Sequence, residues 1–432
     1  MSHVSILRVF RAPIRAALVT AVLLSGLPSC SRPQPPVRAA PTDPVLLESQ
    51  ALQLQEKGDF AAAEPLFRQC LLERQRTLGP EHIDTLAAMN NLANLLHDRG
   101  DNDTAGQLHT ECLEARSRTL GPDHPHTLGS LNNLGLVLRD KGDLAAAEML
   151  YRRAWETMKN SAGPDDGDTL AMLNNLANVL SDQGQYAAAE SLNRQLVESL
   201  DRTLGPEHPA TLAGKGNLAN LLLRKGDPWA AGSLYQTCLA IRERTQGKEH
   251  PETLLALNNL AAFHLETGNL VESERLYRLC AAARTKTLGA EHPETLSTTE
   301  NLARVLRKSG SLSEAETLAR SALTTRERIL GDAHPDTLDN MATLAGILGD
   351  KGDAAAADVL YEKALDGLRQ SLGTAHPTTL TVLYEYSLLK RSERLEQAAR
   401  RLAYDLMAGA RRTLPAGHPD RVKYEQHLES FR

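Results

Sequence analysis

A glycine recurs every 42 residues over most of the chain, and this strict period constrains the fold more than any other feature. The glycines are Gly79, Gly121, Gly163, Gly205, Gly247, Gly289, Gly331 and Gly373. The sequence around each glycine repeats too, with LGPEHIDTL at Leu78–Leu86 and LGPDHPHTL at Leu120–Leu128. Self-similarity at a fixed period of this length indicates a stacked array in which each unit contacts mainly its neighbours. Since every unit brings its own interface, 432 residues can fold this way without one oversized core.

Each repeat reads as two amphipathic helices joined by a glycine turn. In the unit Asp84–Gly121 the apolar residues fall at helical spacing in two stripes, Leu86, Met89, Leu92, Ala93 and Leu96, then Ala105, Leu108, Cys112 and Leu113. A β-propeller blade of similar length would need four short alternating strands, which strings such as NNLANLL do not provide. A HEAT-type helical unit also has a period in this range.

The order of small residues resembles the tetratricopeptide repeat rather than a HEAT unit. That order is Leu92-Ala93, Gly100-Asp101, Ala105 and Cys112. The 42-residue length and the motif LGxxHPxTLxxxNNLAxxLxxxG most resemble the repeats of kinesin light chains and related bacterial proteins. The resemblance covers about residues 43–412. It departs near the end, where Arg394 replaces the turn glycine and Tyr384-Glu385 replaces Asn-Asn, as expected of an atypical terminal unit.

This resemblance implies an all-α, right-handed α-solenoid of about nine antiparallel helix pairs. We expect the solenoid to span residues 44–418 and a capping helix to span residues 419–432. Because the apolar flanks of each pair are covered only by the neighbouring pairs, we expect an elongated, open-sided spiral.

The first 43 residues differ from the repeats. Arg8, Arg11 and Arg15 precede the apolar run Ala16–Leu24, which predicts a signal peptide over residues 1–30. Its end resembles the lipobox of bacterial lipoproteins, in which Cys30 would carry the lipid, although Pro28 departs from that motif. A Pro-rich linker follows over residues 31–43. We therefore expect an exported chain, lipid-anchored to a bacterial envelope membrane or otherwise periplasmic or secreted.

Cysteine and histidine both recur in the repeats. Either could serve a redox or metal-binding function, but their positions favour structural roles. Cys70, Cys112, Cys238 and Cys280 share one register position that Ala fills elsewhere, which predicts a small buried site. Neighbouring equivalents would lie about 8–10 Å apart, too far for a disulfide. The repeated His-Pro pairs precede helices, where we expect capping rather than a metal site. No cofactor is expected.

The resemblance also implies a concave groove lined by the first helix of each pair. Mapped onto this chain, the groove-facing amides are Asn90, Asn132, Asn174 and Asn258, then Asn94, Asn178 and Asn220. Such a row can hydrogen-bond to an extended peptide backbone. The adjacent row consists of Asn91, Asn133, Asn175, Asn217, Asn259 and Asn301, which we expect to tie neighbouring repeats together.

The same register predicts a charge gradient along the groove. Asp98, Asp140 and Asp182 face it early, whereas Arg304, Arg307 and Lys308 face it late. The late cations could clamp a carboxylate or an acidic segment, or they could form a solvated helix face.

The function predicted from the sequence is non-enzymatic binding. The chain contains no GxSxG, P-loop, HExxH or CxxC motif. Its net charge of −6 gives no basic footprint for nucleic acid, and no small-molecule substrate is expected. We therefore predict a scaffold that binds a protein or peptide segment in its groove. The alternative is an envelope-tethered structural or assembly subunit that uses its convex face or its ends.

Overall fold

The computed structural model describes residues 43–56 and 59–431, and this part of the chain is helical throughout, without strands. The helices are α1 (Pro44–Glu56), α2 (Phe60–Leu78), α3 (Ile83–Asp98), α4 (Asn102–Thr119), α5 (Pro125–Asp140), α6 (Leu144–Ser161), α7 (Gly167–Asp182), α8 (Tyr186–Leu204), α9 (Pro209–Lys225), α10 (Pro228–Gln246), α11 (Pro251–Glu266), α12 (Leu270–Leu288), α13 (Pro293–Ser309), α14 (Leu312–Leu330), α15 (Pro335–Lys351), α16 (Ala354–Ser371), α17 (Pro377–Ser392), α18 (Glu396–Thr413) and α19 (Pro419–Glu429). The predicted signal peptide, Cys30 and linker residues 31–42 lie outside the described residues.

The helices stack as consecutive antiparallel pairs, which confirms the predicted fold class. The described residues form nine pairs, from α1/α2 to α17/α18, and α19 packs against α18 at the end. We number the pairs as units 1 to 9, so that α19 stands where the first helix of a tenth unit would begin. None of the described helices combines the length and apolarity that a bilayer crossing needs.

The repeated loop caps the first helix of each unit through its histidine. The Nδ1 atom of His124 accepts a hydrogen bond from the backbone N–H of His126 at 3.2 Å, and Thr127 donates to the carbonyl of Gly121 at 2.8 Å. In unit 4, Asp166 replaces the histidine and accepts from the backbone N–H of Asp168 at 3.0 Å. The capping role predicted for this loop is confirmed, because both side chains satisfy a backbone donor that the helix leaves unpaired.

The four repeat cysteines fill small positions between successive helices, as predicted. All four are free thiols and buried. The Sγ atom of Cys112 lies 3.4 Å from the carbonyl oxygen of Leu86 in the preceding helix. Burial raises the pKa of the Cys238 thiol to about 11 despite the opposing effect of Arg242. These thiols therefore behave as core residues rather than nucleophiles.

The first helices of the units lie on the inner side of the curve. Neighbouring first helices contact each other, as α3 with α5, α7 with α9, α11 with α13 and α13 with α15 do. Second helices of neighbouring units do not approach each other as closely in the described residues. In a curved stack the elements on the concave side are the ones crowded together, so the odd-numbered helices through α17 line the inner face.

Successive turns of the spiral touch, which corrects the expectation of an open-sided spiral. The Nε2 atom of His334 in unit 8 lies 3.2 Å from the carbonyl oxygen of Asp98 in unit 2. Similar approaches bring His376 to Gly142 and His418 to Gly184, again six units apart. The small rotation between neighbouring units accumulates, so that the chain returns over itself after six units. We call this line of contacts the seam.

Two turn glycines at the seam, Gly100 and Gly184, have no room for a side chain. Gly100 has a left-handed φ of 79°, and a Cβ built on it would lie 2.5 Å from Cδ of Pro335. Gly226 has a similar φ of 95°, but a Cβ there meets no atom of residues 43–56 or 59–431 within 4 Å. A substitution at Gly226 therefore costs only backbone strain, whereas the same substitution at Gly100 also crowds the seam.

Gly100→Ala is expected to destabilise the fold more than Gly226→Ala. Both substitutions strain a left-handed residue by about 1–2 kcal/mol, but only Gly100→Ala also forces the seam apart, at about 1–3 kcal/mol. Chemical unfolding followed by circular dichroism measures the difference. Equal losses for the two variants would contradict the seam contact.

Candidate functional site

The inner face carries a ladder of asparagine pairs that joins neighbouring units. The amide of Asn133 donates to Oδ1 of Asn90 at 2.7 Å, and Asn175 donates to Asn132 at 2.6 Å. Asn217 continues the ladder to Asn174 at 2.7 Å. Asn133, Asn175 and Asn217 of the second asparagine row therefore join neighbouring repeats, as predicted. At Asn259 the ladder stops, since glycine occupies the acceptor position 216 and the Asn259 Oδ1 is buried without a partner.

The ladder consumes much of the hydrogen-bonding capacity of the first predicted row. Asn90, Asn132 and Asn174 each use Oδ1 to accept from the next unit. Asn174 and Asn258 are also buried, at 1% and 6% exposure. We expected this row to face a ligand, whereas its members mainly connect the units.

The row one helical turn further along is more available. Asn94 and Asn178 are half-buried on the inner side of α3 and α7, and neither makes a side-chain hydrogen bond within the described residues. Asn220 is also half-buried, but its Oδ1 accepts from the Tyr235 hydroxyl. Asn94 and Asn178 are thus the predicted amides that remain able to pair with a ligand.

The predicted early acidic residues form a second ladder at the ends of the first helices. Asp98 accepts from Gln55 at 2.7 Å, and Asp140 pairs with His97 at 2.7 Å. Asp182 is held between Arg139 at 2.6 Å and Arg224 at 2.7 Å. Burial alone would raise the pKa of Asp182, but the two guanidiniums outweigh it and lower the pKa to about 2. These carboxylates connect units and are paired with groups of the chain itself.

The late cations differ from the expectation, because Arg304 is engaged by carboxylates of the chain. Its guanidinium donates to Glu300 at 2.7 Å and to Asp339 of the next unit at 2.8 Å. Glu300 also accepts from Arg326 and, at 3.0 Å, from Thr343. Burial opposes ionisation of Glu300, but Arg326 and Arg304 outweigh it and lower its pKa. Arg304 is therefore not a free clamp for an acidic ligand.

Of the other two late cations, only Lys308 remains unengaged by the fold. Arg307 donates to Asp350 at 2.6 Å and lies 3.3 Å from Glu385. Lys308 is exposed and makes no ion pair within the described residues. We expected a cluster of three cations that could bind an acidic ligand here, but only Lys308 has no carboxylate partner among the described residues.

Sequence reasoning missed Glu266, a half-buried carboxylate on the inner face. It holds the same repeat position as Asp98, Asp140 and Asp182. The partner position in the preceding unit is Leu223, which cannot pair with a carboxylate. Burial raises the pKa of Glu266, and Lys308 acts in the opposite direction. The sequence did contain a signal for this carboxylate. Leu223 stands at a repeat position that holds His97 and Arg139 in other units, so Glu266 lacks the partner that Asp140 and Asp182 have.

The chain belongs to the tetratricopeptide repeat family. The family model matches residues 44–105, 84–160, 168–244, 215–262, 252–328 and 297–370, which together span well over half of the chain. Repeats of this family generally mediate protein–protein interactions. No curated protein matches the chain.

The chain is also similar to several solved structures. A putative kinesin light chain with nearly identical TPR-like repeats from Podosopora anserina is 29% identical, with a TM-score of 0.41, over 47% of this chain and 96% of that one. BtubC (BKLC) from P. vanneervenii is 19% identical, with a TM-score of 0.43, over 54% and 92%. A Rap protein complexed with Competence and Sporulation Factor is 12% identical, with a TM-score of 0.56, over 90% and 99%.

Proposed function

We propose that this protein is a non-enzymatic scaffold that binds an extended protein or peptide segment along its inner face. The observation that carries the proposal is the pair Asn94 and Asn178, whose amides face the groove without a partner in the described residues. A side-chain amide both donates and accepts, so it pairs with a peptide backbone regardless of the ligand's side chains. A Rap protein of similar fold is complexed with Competence and Sporulation Factor, which is consistent with a binding role for this fold.

The inner face also favours certain ligands over others. Most of its charged groups are already paired, so a strongly charged segment would find few partners there. Glu266 and Lys308 supply one carboxylate and one ammonium near the middle of the array. The ligand expected is therefore an extended, largely uncharged segment, read mainly through its backbone.

The double variant Asn94→Ala/Asn178→Ala is expected to weaken binding about thirtyfold. Each lost amide removes hydrogen bonds of about 1 kcal/mol, and about 1.4 kcal/mol corresponds to a tenfold change. Peptides selected on the full chain from a randomised display library provide the probe, and titration calorimetry gives the affinity.

The matched control is Gln107→Ala/Gln195→Ala. Both glutamines are exposed on α4 and α8, the second helices of the same two units, so the control removes two amides from the outer face. Equal affinities for the two double variants would overturn inner-face binding. They would instead favour the alternative function, a structural subunit that uses its convex face or its ends.

Export and a lipid anchor at Cys30 remain proposals, since residue 30 lies outside the described residues. The basic residues and apolar run that precede it support them. Membrane fractionation of a Cys30→Ala variant tests the anchor, because unchanged association with the membrane would contradict it.

A further inference from the structure

The seam covers only part of the available edge of the spiral. We use "turn edge" for the connections between the two helices of each unit, and "loop edge" for the loops that precede the first helices. The turn edges of units 2, 3 and 4 are covered by the loop edges of units 8, 9 and 10, at Gly100, Gly142 and Gly184. The corresponding glycines of units 5 to 8 are Gly226, Gly268, Gly310 and Gly352, and a Cβ built on any of them has nothing within 4 Å among the described residues.

The open turn edge begins with two exposed apolar side chains. Trp229 in unit 5 is 83% exposed, and Val271 in unit 6 is 82% exposed. They are 42 residues apart and hold the same position in neighbouring units. In the covered units 2, 3 and 4 this position holds Asp103, Ala145 and Ala187. A tryptophan and a valine fully presented to solvent at adjacent equivalent positions mark an interaction surface rather than scattered exposure.

The first two units carry a second set of exposed apolar side chains. Val45 and Leu46 at the beginning of unit 1 are 66% and 54% exposed. Ile83 in unit 2 is 42% exposed and stands where most other units have the proline of the His-Pro pair. Ile83 lies on the loop edge, whereas Val45 and Leu46 lie in the first turn of α1. The equivalents of Leu46 in later units, such as Ala88 and Ser130, are buried against the preceding unit, so Leu46 faces the position that a preceding unit would occupy.

We propose that a second copy of this chain continues the spiral by docking its loop edge on the open turn edge of the first. Within one chain, the turn edges of units 2, 3 and 4 meet the loop edges six units later. Since α19 begins unit 10, the next copy supplies units 11 and 12 with its own units 1 and 2. Ile83 holds the register of Pro335, which meets Gly100 at the seam, so continuation of the seam places Ile83 at Gly268, three residues before Val271. Trp229 in the preceding unit then faces the start of unit 1 of the next copy.

This contact is heterologous, since two different surfaces of the same chain meet. A heterologous contact that repeats along a screw axis does not close, so it produces dimers and then longer helical filaments. The occupant of both patches is therefore another copy of the chain rather than a flexible peptide.

Two edge variants of the full chain test the proposal by sedimentation velocity over a range of concentrations. The unmodified chain is expected to associate as concentration rises. Trp229→Glu/Val271→Glu and Val45→Glu/Ile83→Glu should each weaken association at least about tenfold, because a buried aromatic anchor carries much of such an interface. Mixing the two variants should restore one intact contact and give a 1:1 dimer that grows no further.

The control variant Leu72→Glu/Leu279→Glu removes two exposed leucines from the second helices α2 and α12, away from both edges. It is expected to associate like the unmodified chain. A monomer at every concentration would overturn the proposal and would leave residues 1–42 or a different protein as the cover for the patches. Failure of the two edge variants to pair would also overturn it, since that result indicates a symmetric contact. Circular dichroism confirms that each variant is folded.

Discussion

Glu300→Ala is expected to destabilise the fold by about 3–5 kcal/mol, because it leaves buried guanidiniums without their counter-charge. The Glu300 carboxylate is 5% exposed and contacts Arg304 at 2.7 Å and Arg326 at closer range. The side chain of Arg326 is only 3% exposed, so water cannot replace the lost carboxylate. Urea unfolding followed by circular dichroism at neutral pH measures the loss.

Glu316→Ala is the matched control, because Glu316 also bridges two cations. Its partners, Arg320 and Lys351, are far more exposed, and such surface pairs contribute about 0–1 kcal/mol. Glu300→Asn restores the residue that other units carry at this register, as at Asn258, and keeps an acceptor for Thr343. It is expected to recover only a small part of the loss, since an amide does not neutralise Arg326. Similar effects of Glu300→Ala and Glu316→Ala would show that the buried network is not what stabilises this region.

The helical architecture was predictable because local spacing encodes it. The 42-residue period, the paired apolar stripes and the helix-capping loops gave nine helix pairs and a final helix, as the structure has them. Cys112 and its equivalents were placed in small buried sites because Ala occupies that register in other units. In each case a residue's environment is set by contacts within its own unit or with the unit beside it.

The seam and the charge pairs were harder to predict for a physical reason. His334 meets Asp98 across 236 residues, and this meeting depends on a small rotation per unit that no single repeat encodes. The pairing of Arg304 required knowing that Asp339 of the next unit points toward it. One signal was present, since Glu300 places a carboxylate in a register where four other units carry asparagine. A charge among buried amides indicates a nearby counter-charge.

The two asparagine rows show the same limit within the candidate site. Both rows lie on the first helices of their units, where their spacing placed them. Spacing alone did not show that Asn133 would take the oxygen of Asn90. Which amide remains available for a ligand is decided by side-chain geometry between units. That geometry favours Asn94 and Asn178.

Asp182→Asn is expected to destabilise the fold by about 2 kcal/mol at neutral pH, and the loss should disappear in acid. Burial opposes ionisation of Asp182, but Arg139 and Arg224 outweigh it and lower the pKa from 3.8 to about 2. A shift of this size corresponds to about 2 kcal/mol of stabilisation, at about 1.4 kcal/mol for each pKa unit. Urea unfolding of both proteins between pH 7 and pH 2 provides the comparison.

The sign follows from the lowered pKa. Below its ordinary pKa the unfolded chain binds a proton at Asp182 that the folded chain does not, so protonation favours unfolding. The stabilisation is complete above about pH 4 and is lost as the pH falls through about 2. Asp165, exposed and paired with exposed Arg202, gives the control variant Asp165→Asn, which is expected to change neither the stability nor its acid dependence appreciably. If the Asp182→Asn difference instead stayed constant down to pH 2, the ion pairs with Arg139 and Arg224 would not be the source of the stabilisation.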